Sequence, residues 1–187
     1  LSADPVTATD DAQGKVGAGR LNIAKAFTIA PSFIKVVSKS NLIPGVPPNS
    51  LIKLACVGKT KMDDPCRSVY FYGSDGKRHA FTNAAVFFTW FENFNSVKEV
   101  SPSSLSLLPL GKNVTYHPGT KMVKFQSVPT VYAVSKKGTL RAISSEQIAA
   151  SLYGPDWNKQ IDDISDVFFG NYKMGLSISQ TSDFDVQ

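Results

Sequence analysis

The chain has 187 residues, 42% of them hydrophobic and 11% aromatic, and carries a net charge of +5. That apolar content excludes general disorder and suits either one ordinary domain or two small ones in tandem. The basic excess is spread thinly, with neither a basic run nor an aromatic–basic signature, so no nucleic-acid partner is expected, and no stretch approaches the roughly 18 apolar residues of a membrane span.

Residues 1–50 form an N-terminal segment of distinct composition. The opening LSADPVTATDD lacks a basic-then-apolar targeting pattern and reads as a mature or internal start. GKVGAGRLNIAKAF (14–27) passes from glycines into an apolar–polar run that suits a helix. Residues 30–50 carry prolines at 31, 44, 47 and 48, as expected of an ordered linker or edge strand. The stretch VGAGRLNIAKAF resembles the tail of a subtilisin-like serine protease domain, through Gly17, Gly19, Arg20, Leu21, Asn22, Lys25 and Ala26. Counted from Ala3-Asp-Pro-Val6, which shares it, the resemblance covers about 25 residues. The Asp, His and Ser of that family, the Ser in a Gly-Thr-Ser setting, are absent from this chain. The resemblance therefore implies the C-terminal part of a larger secreted precursor, with catalysis outside it.

An internal repeat follows. Leu51-Ile-Lys-Leu54 matches Met122-Val-Lys-Phe125 at an offset of 71, and Val69-Tyr70 matches Val131-Tyr132 at 62. Gly76–Phe81 matches Gly138–Ile143 at 62, and six positions from Val97 to Gly111 match Ile161 to Gly175 at 64. The boundaries read from this are repeat 1 at 51–113 and repeat 2, with a C-terminal tail, at 114–187.

Each copy reads as one unit of about 55–60 residues. A short strand (LIKL, MVKF) leads into a hairpin around Gly73-Ser-Asp-Gly76 or Lys136-Lys-Gly138. A helix of about ten residues follows, capped by Thr82 or Asn83 in one copy and Ser144 or Ser145 in the other, with Gln147 at a capping-box distance from Ser144. A strand (VKEV, QIDDI) and a short helical turn entered at Ser101-Pro102 or Ser165-Asp166 complete it. The expected fold class is α+β, with the two repeats sharing one compact body because a unit so small has a marginal core. NVTYHPGT (113–120) joins them without a flexible linker and includes a glycosylation sequon at Asn113.

The drop in offset from 71 to 62 places nine extra residues between the first and second strands of the first copy, and Cys56 and Cys66 lie within that longer connection. A disulfide closing this loop of about ten residues contributes roughly 2.5–3 kcal/mol in the chain-entropy model and implies an oxidising compartment. The alternative is two reduced thiols, buried as small apolar groups.

The repeats also resemble tandem modules of predicted bacterial surface and secreted proteins, with a VYxxGSDGKRxxFxN start and a PLGxNVTYxPGTxxVK joint. Val69, Tyr70, Gly73–Arg78, Phe81 and Asn83 carry the first, and Pro109–Gly111, Asn113–Tyr116, Pro118–Thr120, Val123 and Lys124 the second. That resemblance implies a location rather than a chemistry.

Chemistry-bearing residues are few. His79 has Arg141 as its counterpart and so reads as an exposed polar position, and His117 reads as part of the joint. The acidic pairs, such as Asp162-Asp163, are adjacent and point to opposite strand faces. GSDG offers oxygens without EF-hand spacing, so no metal and no cofactor are expected. Helical spacing assigns Phe87, Trp90, Phe91 and Phe94 to the core and leaves Phe88 and one of the Tyr70–Tyr72 group facing out. Tyr70, Tyr72, Phe88, Lys77 and Arg78 are the candidate binding or assembly surface. The expectation is a non-catalytic structural or attachment module, extracellular or on the cell surface, whose partner is a cell-envelope component or the chain itself, with a glycan as a further candidate. The alternative is a glycan- or peptide-binding accessory module of a secreted subtilisin-like protease.

Overall fold

Alternating apolar residues in the first copy build strands β1 (Ser50–Leu54), β2 (Val69–Tyr72), β3 (Arg78–Ala80) and β4 (Lys98–Val100). They form a four-stranded sheet in the order β3-β2-β1-β4, with β1 antiparallel to β2 and parallel to β4. The computed structural model describes residues 42–58 and 60–186. The protease-like stretch at 17–26, the helix expected over 14–27 and most of the proline-rich linker lie outside them.

The second copy contributes β5 (Met122–Phe125), β6 (Val131–Ser135), β7 (Thr139–Ala142), β8 (Ile161–Ile164) and β9 (Lys173–Met174). Their order, β8-β5-β6-β7-β9, is that of the first sheet with one strand added. Registers coincide under the offsets read from the sequence. Ile52 faces Tyr70 and Lys98 as Val123 faces Tyr132 and Asp162, and Tyr70 faces Ala80 as Tyr132 faces Ala142. Where β9 pairs with β7, the first copy has a single parallel bridge, Arg78 to Leu110. The fold is α+β, and the described residues fall in one compact unit.

The helices correct the expected lengths. In the first copy α1 spans only Ala84–Phe88, capped by Asn83, whose side chain accepts from the Val86 amide. It stops there because the Trp90 and Phe91 amides both turn onto the Phe87 carbonyl, while the Thr89 hydroxyl takes that of Val86. The short helix α2, Pro102–Ser106, starts from the Ser101 cap. In the second copy α3 runs Glu146–Tyr153 from Ser145, one residue beyond the expected capping-box start. It ends at Gly154, whose φ of +86° favours glycine.

Side-chain alternation divides the second sheet between two cores. One face (Met122, Ala133) is covered by Ala149 and Tyr153 of α3 together with Ile178 and Phe184 from the tail. The other (Val123, Phe125, Tyr132, Val134, Leu140) is covered partly from the other repeat, by Val86, which is 1% exposed, and by Phe81, with Val114 of the joint packed against the same cluster. The equivalent face of the first sheet (Ile52, Leu54, Tyr70, Tyr72) is closed by Ile43, Leu105 and Leu108.

Shortening Val86 removes a methyl pair at the seam between the copies. Val86→Ala is expected to destabilise the protein by about 1–3 kcal/mol and to weaken hydrogen-exchange protection in β5 and β6 as well as around α1. Protection lost in the first copy alone would mean that the repeats do not share a core.

Candidate functional site

The two cysteines are bridged, with Cα atoms 5.2 Å apart. The β1–β2 connection, residues 55–68, is nine residues longer than its counterpart at 126–130. Its second half is ordered by a 3-10 turn, Pro65–Arg67, in which the Asp64 carboxylate accepts from the Cys66 amide at 3.0 Å. The shorter connection is held instead by the Ser127 hydroxyl, which donates to Asp166 at 2.7 Å.

The five residues expected to share a surface are distributed otherwise. Tyr72 is 0% exposed and its hydroxyl accepts from the Leu42 amide, so it belongs to the core of the first copy. Strand alternation puts Tyr70 on that same inward face, half-buried beneath the Arg78 guanidinium, which lies 5.4 Å from the ring centre. Arg78 donates to the Leu105 carbonyl, an inward role that Leu140 fills by burial in the second copy. Lys77, at the hairpin, and Phe88, 52% exposed on α1, remain at the surface. Of the aromatics expected in the core, Phe87 is buried, whereas Trp90 and Phe94 are 41% and 47% exposed. The early end of α1 removes the helical spacing that would have turned those two rings inward.

His79 is half-buried rather than exposed, and its ring spans two partners: Nδ1 lies 2.7 Å from the Lys112 carbonyl and Nε2 3.1 Å from Asp75. In the second copy Arg141 Nε donates to the Leu176 carbonyl at 2.8 Å, the equivalent atom at an offset of 64. Both side chains therefore latch the segment that returns alongside the hairpin. Gly111 leaves room for that arrangement, since a Cβ there would collide with the His79 ring. His117 is tied into the joint: its amide donates to the Thr89 hydroxyl, and its ring meets Trp90 edge-on at 4.2 Å. The Trp90 indole donates to the Thr115 carbonyl at 2.8 Å, so the end of α1 pins the connection between the copies. Asp162 pairs with Lys121 at 2.8 Å and Asp163 with Lys124 at 3.6 Å, so the two neighbours act separately.

Beyond these residues, the two copies carry grooves at matching positions, with volumes of about 390 and 360 Å³. Val69, Phe81, Asn83 and Phe87 line the first, and Val131, Ile143, Ser145 and Ala149, each 62 residues on, line the second. The connection from helix to edge strand adds an aromatic ring to each, Phe94 or Trp157. Phe94 is set by stacking on Phe87, with ring centres 4.3 Å apart. The disulfide-closed insertion walls the first groove with Met62, Asp63 and Arg67. The repeat itself was the signal for these grooves, but which side chains line them depends on how the helices end.

Comparison with protein-family models, curated proteins and solved structures finds no match to this chain.

Two expectations can be measured. Because Arg already serves at the equivalent position, His79→Arg is expected to hold stability within about 1 kcal/mol, and His79→Ala to cost about 1–2 kcal/mol. Equal losses in urea unfolding would reject the latch. Burial raises the hydroxyl pKa of Tyr116, with the Asp162 charge adding to it, and burial also raises that of Tyr153 and pushes that of Tyr172 up to about 12. Unfolded tyrosine ionises near pH 10. The folded state thus holds these protons more tightly, so the stabilisation is complete below about pH 10 and is lost as pH rises toward 12. The urea midpoint should fall across that window, and less steeply in Tyr172→Phe; identical slopes would remove Tyr172 from the account.

Proposed function

We propose that this chain is a non-catalytic structural or attachment module, extracellular or on the cell surface, carried as the C-terminal part of a larger secreted protein. The observation that carries the reading is the Cys56–Cys66 bridge, which closes an insertion present in only one copy and suits an oxidising compartment. Further support comes from the histidine rings, which are engaged with backbone carbonyls, His79 with that of Lys112 and His117 with that of Pro118, rather than with each other. The subtilisin-like character of residues 17–26 supports a secreted precursor whose chemistry lies elsewhere. Its partner is a cell-envelope component or further copies of itself.

A second reading, an accessory module that binds glycan or peptide for a secreted subtilisin-like protease, is favoured by the paired grooves, each lined by an aromatic ring, Phe94 or Trp157.

Cosedimentation of the non-reduced chain with isolated bacterial envelopes, alongside light scattering of the chain alone, tests the proposal. Retention on envelopes or growth into ordered assemblies is expected. A monomer that ignores envelopes would overturn it.

A further inference from the structure

We propose that the two grooves are equivalent binding sites for neutral oligosaccharide, each seating a sugar ring against Phe94 or Trp157. A pyranose presents an apolar C–H face and a rim of hydroxyls, so its site needs a fixed aromatic plane beside hydrogen-bonding groups, within a cleft of a few hundred Å³. Both grooves meet those needs, with the ring and the hydroxyl at matching places and the carboxylate drawn from the insertion in one and from the helix start in the other. Phe94 is half exposed yet held flat by Phe87, and Trp157 is half-buried at the matching wall.

Beside the rings stand a carboxylate and a hydroxyl in each case: Asp63 with Ser68 in the first groove, Glu146 with Thr130 in the second. Neither Asp63 nor Glu146 has an ion-pair partner among the described residues, so both are open to sugar hydroxyls. Both grooves carry net negative charge, which works against an anionic ligand. Asp63 and Asp64 outweigh Arg67 in one groove and Glu146 stands alone in the other, which disfavours uronic or sulfated sugars.

Peptide addition as an extra strand is disfavoured because the amides along the floor are already used. Phe81 N donates to Val69 O at 3.2 Å, and Ile143 N to Val131 O at 3.0 Å. The insertion thereby acquires a role, since its bridge holds the Asp63 and Arg67 wall of the first groove. The inference names a ligand for the attachment reading and rests on it only for where that ligand is met.

The test is amide NMR titration of the full chain with three probes: a β-1,4-linked N-acetylglucosamine tetramer, cellotetraose, and an acidic galacturonic acid tetramer. At least one neutral tetramer should shift signals at both grooves with two sites per chain. Phe94→Ala and Trp157→Ala should each weaken one site about tenfold and spare the other. Glu146→Gln, which leaves the groove floor intact, should weaken the second site even if Trp157→Ala fails to fold. No shift at either groove at millimolar neutral probe, shifts insensitive to these variants, or tighter binding of the acidic tetramer would each overturn the inference. A chain that cosediments with envelopes yet ignores the tetramers rejects the grooves and keeps the attachment reading, while tetramer binding without envelope retention does the reverse.

Discussion

The seam between the copies, where Val86 of α1 inserts into the face of the second sheet, is the contact on which the rest of the structure depends. Each repeat is too small to bury a full core, and each sheet has two faces to cover. The second sheet solves this by using its own helix on one side and the start of the other copy's helix on the opposite side. Phe81 and Val114 flank Val86 there, and Phe168 and Tyr172 fill the remainder. Hydrogen bonds from the end of α1 to the joint fix the geometry, because the Thr89 hydroxyl and the Trp90 indole meet the backbone of residues 115–117. Sharing apolar surface in this way is how stacked repeats in general gain stability that the single unit lacks.

The copies keep backbone pairing and let side chains diverge. Strand registers and the returning parallel segment coincide at fixed offsets, as do the Lys53–Glu99 and Lys124–Asp163 pairs across parallel neighbours. Such half-exposed pairs contribute little energy, so their recurrence reports alignment rather than stability. Divergence is compensated locally. Arg78 reaches a carbonyl where Leu140 is simply buried, and His79 and Arg141 reach equivalent carbonyls, those of Lys112 and Leu176, with different side chains. The added residues of the first copy lie in a connection, where extra length costs little, and the disulfide restrains them.

Function follows from what that divergence leaves at the surface. The histidines and most of the aromatic–basic group near the first hairpin are engaged in holding the chain together. The grooves beside the helix starts set Phe94 or Trp157 near Asp63 or Glu146, carboxylates without an ion-pair partner among the described residues. Two like grooves in one compact unit would suit a long repetitive ligand, because a second contact forms at high effective concentration once a first is made.

The sequence by itself determined the fold class, the bridged pair, the chain order of the strands in each copy and their hairpins, whereas the parallel pairing of β1 with β4 and of β5 with β8 came from the tertiary structure. Hydrophobic alternation and hairpin turns are local properties, and a repeat states each of them twice. The same locality misled at α1: the apolar spacing of Phe87, Trp90, Phe91 and Phe94 suits a longer helix, but stacking of Phe94 on Phe87 and capture of the joint by Trp90 and Thr89 end it early. Tyr72 could not be distinguished from an exposed tyrosine, because its burial depends on Ile43, Leu105 and Leu108 closing over the first sheet. Only the tertiary structure decided which rings face solvent, since exposure belongs to contacts between segments that are far apart in the chain.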